Sequence, residues 1–130
     1  MIQMLTNSPQ ILIVDDAPFI LERLTLLISE YSPDCYVRSA VTAEDGLLLF
    51  EETIPDILIL DINLPGMNGI EMLKRIRKNS SAKPIIIMLT NNTIADYREA
   101  CLALGANYFL DKSKDFLMLT TVIDEVIKFK

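Results

Sequence analysis

Five polar residues follow the short apolar runs of this 130-residue sequence, and all five suit phosphoryl chemistry. Asp15 and Asp16 follow the first run, Asp61 the third, Thr90 the fourth and Lys112 the fifth. Carboxylates bind hard cations and can act as nucleophiles, while hydroxyl and ammonium groups can bind phosphoryl oxygens. If the fold brings these side chains together, they predict metal-assisted transfer of a phosphoryl group to a carboxylate.

A metal ion is predicted from the three aspartates. Carboxylates at one edge of a sheet repel one another unless a cation neutralises them, and Mg²⁺ is a hard cation that prefers oxygen ligands. The sequence contains no histidine, so a His-centred metal site or triad is excluded. The chemistry must therefore depend on carboxylates, hydroxyl groups and lysine.

Asp61 is the predicted nucleophile, and its attack on phosphorus would form an aspartyl phosphate. Mg²⁺ would bridge Asp61 and one phosphoryl oxygen, while the Lys112 ammonium and the Thr90 hydroxyl would bind the other two. Each residue also has a structural interpretation. Asp15 and Asp16 are typical helix caps, Thr90 is a typical turn residue, and Lys112 could lie over apolar surface. Their coincidence at strand ends favours the functional interpretation.

These side chains would be positioned by five consecutive β–α units. Apolar, β-branched runs predict strands at residues 11–14, 35–39, 56–60, 84–89 and 107–110. Helical spacing predicts helices at residues 19–31, 43–52, 69–78, 94–104 and 116–129. Strands that are apolar on both faces are typical of a parallel sheet covered by helices on both sides. The sequence therefore predicts a doubly wound α/β fold with its functional site at the carboxyl ends of the first and third strands.

Composition excludes several other classes of function. A net charge of −6 opposes direct binding to nucleic acid. No apolar run is long enough for a membrane span, and the first ten residues lack the features of a secretory signal, so a cytoplasmic location is expected. Cys35 and Cys101 are expected to be small apolar residues. We expect one domain over residues 1–130, with residues 1–9 as a short N-terminal extension and no output domain within this sequence.

The pattern resembles the receiver domain of response regulators in two-component signalling, in particular the stand-alone chemotaxis type. The resemblance covers residues 10–129. It depends on Asp15-Asp16 after the first strand, the segment from Asp61 to Gly69 (Asp-Ile-Asn-Leu-Pro-Gly-Met-Asn-Gly), Thr90 and Lys112. It implies the flavodoxin-like receiver fold, in which a five-stranded parallel sheet of order 2-1-3-4-5 is flanked by five helices.

The resemblance also implies a role for each residue of the site. Asp61 would be the phosphorylation site. Asp16, Asp61 and the Asn63 carbonyl would bind Mg²⁺ directly, whereas Asp15 would act largely through water. Thr90 and Lys112 would bind the phosphoryl group. Enzymatic activity would be limited to the domain's own phosphorylation and dephosphorylation.

A conformational switch and its partners are further implications of the resemblance. Thr90 would move inward on phosphorylation, and Phe109 would move into the space it leaves, although an aromatic here is also typical of a core. The donor would be a sensor histidine kinase or a histidine phosphotransfer protein. A downstream protein would bind the face made by the fourth helix, fifth strand and fifth helix. Dimerisation on phosphorylation through residues 94–129 stays open.

Two residues depart from the usual receiver pattern. Asn91 follows Thr90 where a small residue is common, and its amide could narrow donor access or bind the phosphoryl group. Ser113 follows Lys112 where proline is usual, so a cis peptide bond is not expected at this position. The rate of transfer and the shape of the lysine loop are therefore expected to differ from the common pattern.

Three alternative functions follow from the same residues. The chain could be a receiver-like scaffold that binds partners without phosphorylation, although it keeps all five site residues. It could be the receiver part of a longer DNA-binding regulator. It could also be an aspartyl-phosphate hydrolase, but those enzymes need a second aspartate two residues after the nucleophile, where this chain has Asn63.

Overall fold

The five apolar runs form one parallel sheet in a computed structural model that describes residues 8–79, 81–91 and 95–128. The strands are β1 Gln10–Val14, β2 Tyr36–Ala40, β3 Ile57–Leu60, β4 Ile85–Thr90 and β5 Tyr108–Asp111. Their order across the sheet is β2-β1-β3-β4-β5, and every neighbouring pair is parallel. The predicted fold class and strand order are confirmed. Residues 1–7 of the expected N-terminal extension, Ile94 and Phe129 lie outside the described residues.

Five helices connect and follow the strands. They are α1 Pro18–Tyr31, α2 Ala43–Glu52, α3 Gly69–Asn79, α4 Ala95–Ala103 and α5 Met118–Lys128. Proline occupies the first turn of α1, where its missing N–H costs no hydrogen bond. The Thr42 side chain caps α2 by accepting a bond from the Asp45 amide at 3.1 Å. Gly105, just after α4, has a φ of 107°, a conformation that favours glycine.

The largest difference from the predicted elements lies after the fourth helix. β5 runs one residue further than predicted, because Asp111 pairs with Thr90 of β4. The fifth helix begins at Met118 rather than at residue 116. A turn occupies the intervening segment, in which the Asp115 amide donates to the Asp111 carbonyl at 2.8 Å and the Met118 amide donates to the Asp115 carbonyl at 2.9 Å. Lys112 therefore follows β5 directly.

Two apolar clusters cover the two faces of the sheet. One joins β-strand residues to Leu24 and Ile28 of α1 and to Leu119, Val122 and Ile123 of α5. The other joins the opposite face to α2, α3 and α4 through residues that include Phe50, Met72, Leu73, Ile76 and Cys101. This arrangement leaves the strand ends as the place where polar side chains can meet. Within the described ranges, no helix has the length and apolar character needed to cross a bilayer.

Arg77 of α3 connects the segments that lead into β4 and β5, at the amino ends of the strands. Its guanidinium donates to the carbonyl of Gly105 at 2.7 Å, to the carbonyl of Pro84 at 3.1 Å and to the Asn107 side chain at 3.0 Å. Asn107 in turn accepts a bond from the Ile86 amide at 2.8 Å. The end of α4 and the beginnings of β4 and β5 are thus fixed to α3, and burial lowers the pKa of Arg77.

Candidate functional site

Asp15 and Asp61 lie side by side because they follow paired residues of neighbouring strands. Val14 of β1 is in register with Leu60 of β3. The Asp61 amide donates to the Val14 carbonyl at 3.0 Å, which continues the ladder by one residue. Parallel strands present their carboxyl ends at the same edge, so both side chains emerge where the sheet ends. The backbone of the site is therefore held by the sheet.

The contact between the third helix and the end of β3 also depends on Gly69. A Cβ atom at this position would lie 2.0 Å from the carbonyl oxygen of Asp61. The Gly69 amide donates to the Ile62 carbonyl at 2.9 Å, which closes the segment after Asp61. A larger residue would force the start of α3 away from the Asp61 backbone, so glycine lets the chain enter the third helix at this point.

The three aspartates form a cluster of carboxylates. One oxygen atom from each of Asp15, Asp16 and Asp61 lies within 4.8 Å of the others. Asp15 and Asp61 are buried, with 2% and 5% of their surface exposed, whereas Asp16 is exposed. Asp15 also accepts a bond from the Ala17 amide at 2.9 Å. Neither aspartate is the cap of α1, because Ala17 occupies the N-cap position and no side chain makes a capping bond there.

Lys112 bridges two of these carboxylates. Its ammonium nitrogen lies 2.6 Å from Asp15 Oδ2 and 3.0 Å from Asp61 Oδ2, and its side chain is 8% exposed. Burial acts to lower the pKa of Lys112, but its hydrogen bonds to Asp15 and Asp61 outweigh that effect and raise the pKa. Burial raises the pKa of Asp15 despite the bonds from Lys112 and Ala17. The buried charges therefore stabilise one another only in part.

Asp61 has an oxygen whose bonding capacity is not used. Its Oδ1 atom is buried, and within residues 8–79, 81–91 and 95–128 it has no hydrogen-bond partner. Such atoms are rare in folded proteins and are costly unless a ligand completes them. The cluster also combines three carboxylates with one ammonium group, which leaves two negative charges when all are ionised. An oxygen-rich site with this charge and an unpartnered Asp61 oxygen fits Mg²⁺.

The other predicted site residues lie around this cluster in different ways. Thr90 is the last residue of β4 and is fully buried, and its carbonyl accepts the Lys112 amide at 3.0 Å. Asn63 and Asn91 are exposed. Phe109 is buried in the core on the α4 side of the sheet rather than among the carboxylates. The structure thus brings four predicted residues into direct proximity and places Thr90 at the adjoining strand end.

The loop after β5 contains polar contacts that the sequence interpretation did not include. Asp111 Oδ1 accepts bonds from the Ser113 amide and hydroxyl, each at 2.7 Å, and from the Lys114 amide at 3.2 Å. The Asp115 carboxylate accepts the Asp111 amide at 2.9 Å. The bonds from Ser113, its hydroxyl foremost, hold the pKa of Asp111 below its usual value. Aspartate and serine so close together are typical of such turns and could have indicated this loop.

Ser113 also shows what replaces proline at this position. The peptide bond between Lys112 and Ser113 is trans, as the sequence predicted. The Ser113 amide is a hydrogen-bond donor, which a proline would lack. The expected difference in the lysine loop therefore takes the form of a bond to Asp111.

Comparison with known proteins gives the same family from three directions. The profile described as response regulator receiver domain matches residues 11–124. The nitrate/nitrite response regulator protein NarL of Escherichia coli is 35% identical over 105 residues, which are 81% of this chain and 48% of NarL. The chain thus spans about half the length of that relative. Protein PilH of Pseudomonas aeruginosa is 32% identical over 120 residues, which are 91% of this chain and 97% of PilH.

A solved structure shares the fold over nearly the whole chain. The crystal structure of the CheX–CheY–BeF3–Mg²⁺ complex from Borrelia burgdorferi aligns with a TM-score of 0.81 and 26% identity, covering 91% of this chain and 88% of the other. The parallel sheet, the acidic cluster at its edge and the family match agree. The chain belongs to the response regulator receiver domains of two-component systems.

Proposed function

We propose that this receiver domain accepts a phosphoryl group on Asp61 and later loses it by hydrolysis. One observation carries the proposal. Asp61 is buried at the sheet edge with Oδ2 bound to Lys112, while Oδ1 has no hydrogen-bond partner among the described residues. A carboxylate held in this way is oriented for attack, and one of its oxygens is not blocked by a donor.

The chain's own residues account for binding and charge. The Lys112 ammonium contacts Asp15 and Asp61 and is therefore close enough to bind an oxygen of a phosphoryl group attached to Asp61. The Thr90 carbonyl accepts the Lys112 amide, so Thr90 lies beside Lys112, and its hydroxyl would bind another phosphoryl oxygen. Mg²⁺, when held by Asp15, Asp16, Asp61 and the Asn63 carbonyl, would neutralise negative charge on the phosphoryl oxygens.

The donor would be a phosphohistidine of a sensor kinase or phosphotransfer protein. A carboxylate oxygen of Asp61 attacks phosphorus, so a P–O bond forms while the P–N bond to histidine breaks. The departing imidazole takes up a proton from solvent. In the later hydrolysis, a water oxygen attacks phosphorus and the P–O bond to Asp61 breaks. The protons of the water pass to inorganic phosphate and solvent, and the Asp61 carboxylate is restored.

Intact-mass spectrometry with a small acyl phosphate tests this proposal without knowledge of the kinase. The wild-type chain should gain the mass of one phosphoryl group in the presence of Mg²⁺. The Asp61→Asn variant and a sample treated with a chelator should not. Asp34→Asn is the matched control. It changes an exposed aspartate just before β2, at the amino ends of the strands, and this variant should be labelled as the wild type is.

The same experiment can contradict the proposal. If the wild type gains no mass under conditions that label another receiver, the scaffold that binds without phosphorylation becomes the preferred function. In that case Asn91, the exposed residue after Thr90, is the first residue to substitute with alanine. Labelling that survives Asp61→Asn would place the acceptor elsewhere.

We also infer that phosphorylation changes the face formed by α4, β5 and α5. Thr90 pairs with Asp111 and Met88 pairs with Phe109, so Thr90 and Phe109 point to the same side of the sheet, toward α4. Arg98 of α4 donates to the Phe109 carbonyl at 3.2 Å. A shift of Thr90 toward a phosphoryl group would therefore affect packing beneath α4 and alter the surface offered to a downstream protein.

Backbone amide spectra recorded with and without beryllofluoride and Mg²⁺ test this switch. Resonances of Arg98, Phe109 and their neighbours should shift, whereas those of Tyr36 and Val37, at the start of the outer strand β2, should not. Identical spectra across α4, β5 and α5 in a sample that has bound beryllofluoride would refute the switch while leaving phosphorylation intact.

A further inference from the structure

The loop that carries Lys112 is built around one buried carboxylate. Asp111 is 9% exposed, and its Oδ1 atom accepts three hydrogen bonds from the two residues that follow Lys112. Its own amide donates to Asp115 Oδ2, and its carbonyl accepts the Asp115 amide. Asp111 is therefore bonded to both sides of the turn that begins at Lys112.

We propose that Asp111 is a positioning residue for phosphoryl transfer: by holding Ser113 and Lys114, it fixes the loop from which Lys112 reaches the site. This inference rests on the function proposed for Asp61 and Lys112. Asp111 would not touch the phosphoryl group. Its contribution would pass through the backbone to the lysine ammonium.

Lys112 is constrained on both sides by short bonds. On one side its amide donates to the Thr90 carbonyl at 3.0 Å, and on the other the Ser113 amide and hydroxyl are bound by Asp111. A lysine side chain has several rotatable bonds and loses entropy when its ammonium is held in one place. A fixed Cα lowers the number of conformations from which Asp15 and Asp61 must select, so the loop bonds favour the observed geometry.

Ser113 is part of the same device. The bond from its amide to Asp111 needs an N–H group, which proline does not have. The pair of Asp111 and Ser113 would thus supply, by hydrogen bonds, the loop restraint at the position where a proline is usual in the family. The restraint requires a hydrogen-bond acceptor at residue 111. An isosteric side chain with an oxygen should therefore preserve the loop, and an aliphatic side chain should not.

The test compares Asp111→Ala with Asp111→Asn, since asparagine retains an oxygen that can accept the same amides. Initial phosphorylation rates are measured with an acyl phosphate and Mg²⁺, well below the unfolding temperature of each variant. Asp111→Ala should be slower than the wild type by about tenfold or more, the scale on which misplaced catalytic groups act. Asp111→Asn should stay within about threefold of the wild type, because its loop is retained.

Order of the Lys112 side chain provides a second readout that does not depend on phosphorylation. Carbon relaxation at Lys112 Cε should report a restricted side chain in the wild type and in Asp111→Asn, and a mobile one in Asp111→Ala. Lys83, which is exposed just before β4 and makes no part of the Asp111 loop, is the internal control and should be mobile throughout. A purely structural role would lower stability in Asp111→Ala without mobilising Lys112 in the folded protein.

Two results would overturn the inference. Asp111→Ala could retain the wild-type rate and an ordered Lys112, or Asp111→Asn could be as impaired as Asp111→Ala. If Asp111→Ala does not fold, Ser113→Ala replaces it: loss of the hydroxyl bond to Asp111 should leave Lys112 more mobile than in the wild type, and wild-type order would overturn the inference. A wild type that takes no phosphoryl group, but shows the expected pattern of lysine order, would refute the proposed function and leave the positioning role standing.

Discussion

Two buried aspartates at the same edge of the sheet meet different surroundings. Asp15, after β1, is paired with Lys112 and one backbone amide, yet burial still raises its pKa. Asp111, at the end of β5, accepts two backbone amides and a hydroxyl, and these bonds lower its pKa. The charge on Asp15 opposes folding, whereas the charge on Asp111 favours it. The charge of Asp15 in the carboxylate cluster is thus only partly compensated by its neighbours. The charge of Asp111 is fully compensated by the hydrogen bonds of its loop.

The largest change in stability is expected from Mg²⁺. It should bind the cluster of Asp15, Asp16 and Asp61 and leave the bonds of the Asp111 loop unchanged. At a concentration about 100 times its Kd, a ligand that binds only the folded state stabilises by about 2.7 kcal/mol. Thermal unfolding followed by circular dichroism should show this gain in the wild type and in Asp111→Asn. Asp61→Asn should lose most of it. Equal gains in all three proteins would mean that the cation binds elsewhere.

A smaller effect is expected from Asp111→Ala, which should lower the melting temperature at neutral pH. The pKa of Asp111 in the folded protein lies below 3.8, so its stabilising effect is complete above that pH and is lost as the pH falls through the folded pKa. The difference from the wild type should therefore shrink in acid. Unfolding curves at neutral pH and at several values below 3.8 measure this. A difference that does not vary with pH would assign the effect to packing rather than charge.

The smallest effect, and one of opposite sign, is expected from Asp15→Asn. The folded protein raises the pKa of Asp15 above 3.8, so stability is lost as the pH rises from 3.8 through the folded pKa. Without divalent cations, the variant should melt at or slightly above the wild-type temperature at neutral pH, although the neutral amide binds Lys112 less strongly. The two proteins should converge below pH 3.8. A clear loss of stability would show that the ion pair with Lys112 outweighs burial.

Much of the fold could be predicted because its signals are local. Runs such as Ile57–Leu60 are apolar on both faces, which indicates a covered parallel strand, and the breaks between runs gave the order of elements. From that order alone, the ends of the first and third strands could be expected to meet. The positions of Asp15 and Asp61 therefore followed from topology, without knowledge of any contact.

The rest depended on contacts between residues far apart in the sequence. The pairing of Lys112 with Asp15 and Asp61 joins three strand ends, and no single segment of the sequence indicates it. The apolar spacing continues through Phe116 and therefore predicts a helix from residue 116, two residues before α5 begins. Hydrogen bonds of the turn that starts at Asp111 hold this segment in a different conformation. Turn chemistry outweighed periodicity at that point.

The bonds made by Arg77 have a mechanical consequence for α4. Because the Gly105 carbonyl is held by the guanidinium, the C-terminal end of α4 is anchored to α3, and its other end is the one nearer Thr90 in the sequence. A displacement that starts at Thr90 would then rotate α4 about its fixed C-terminal end. Movement should be greatest at the first turn of α4 and least at Leu104, so a partner would detect a change of angle rather than of distance.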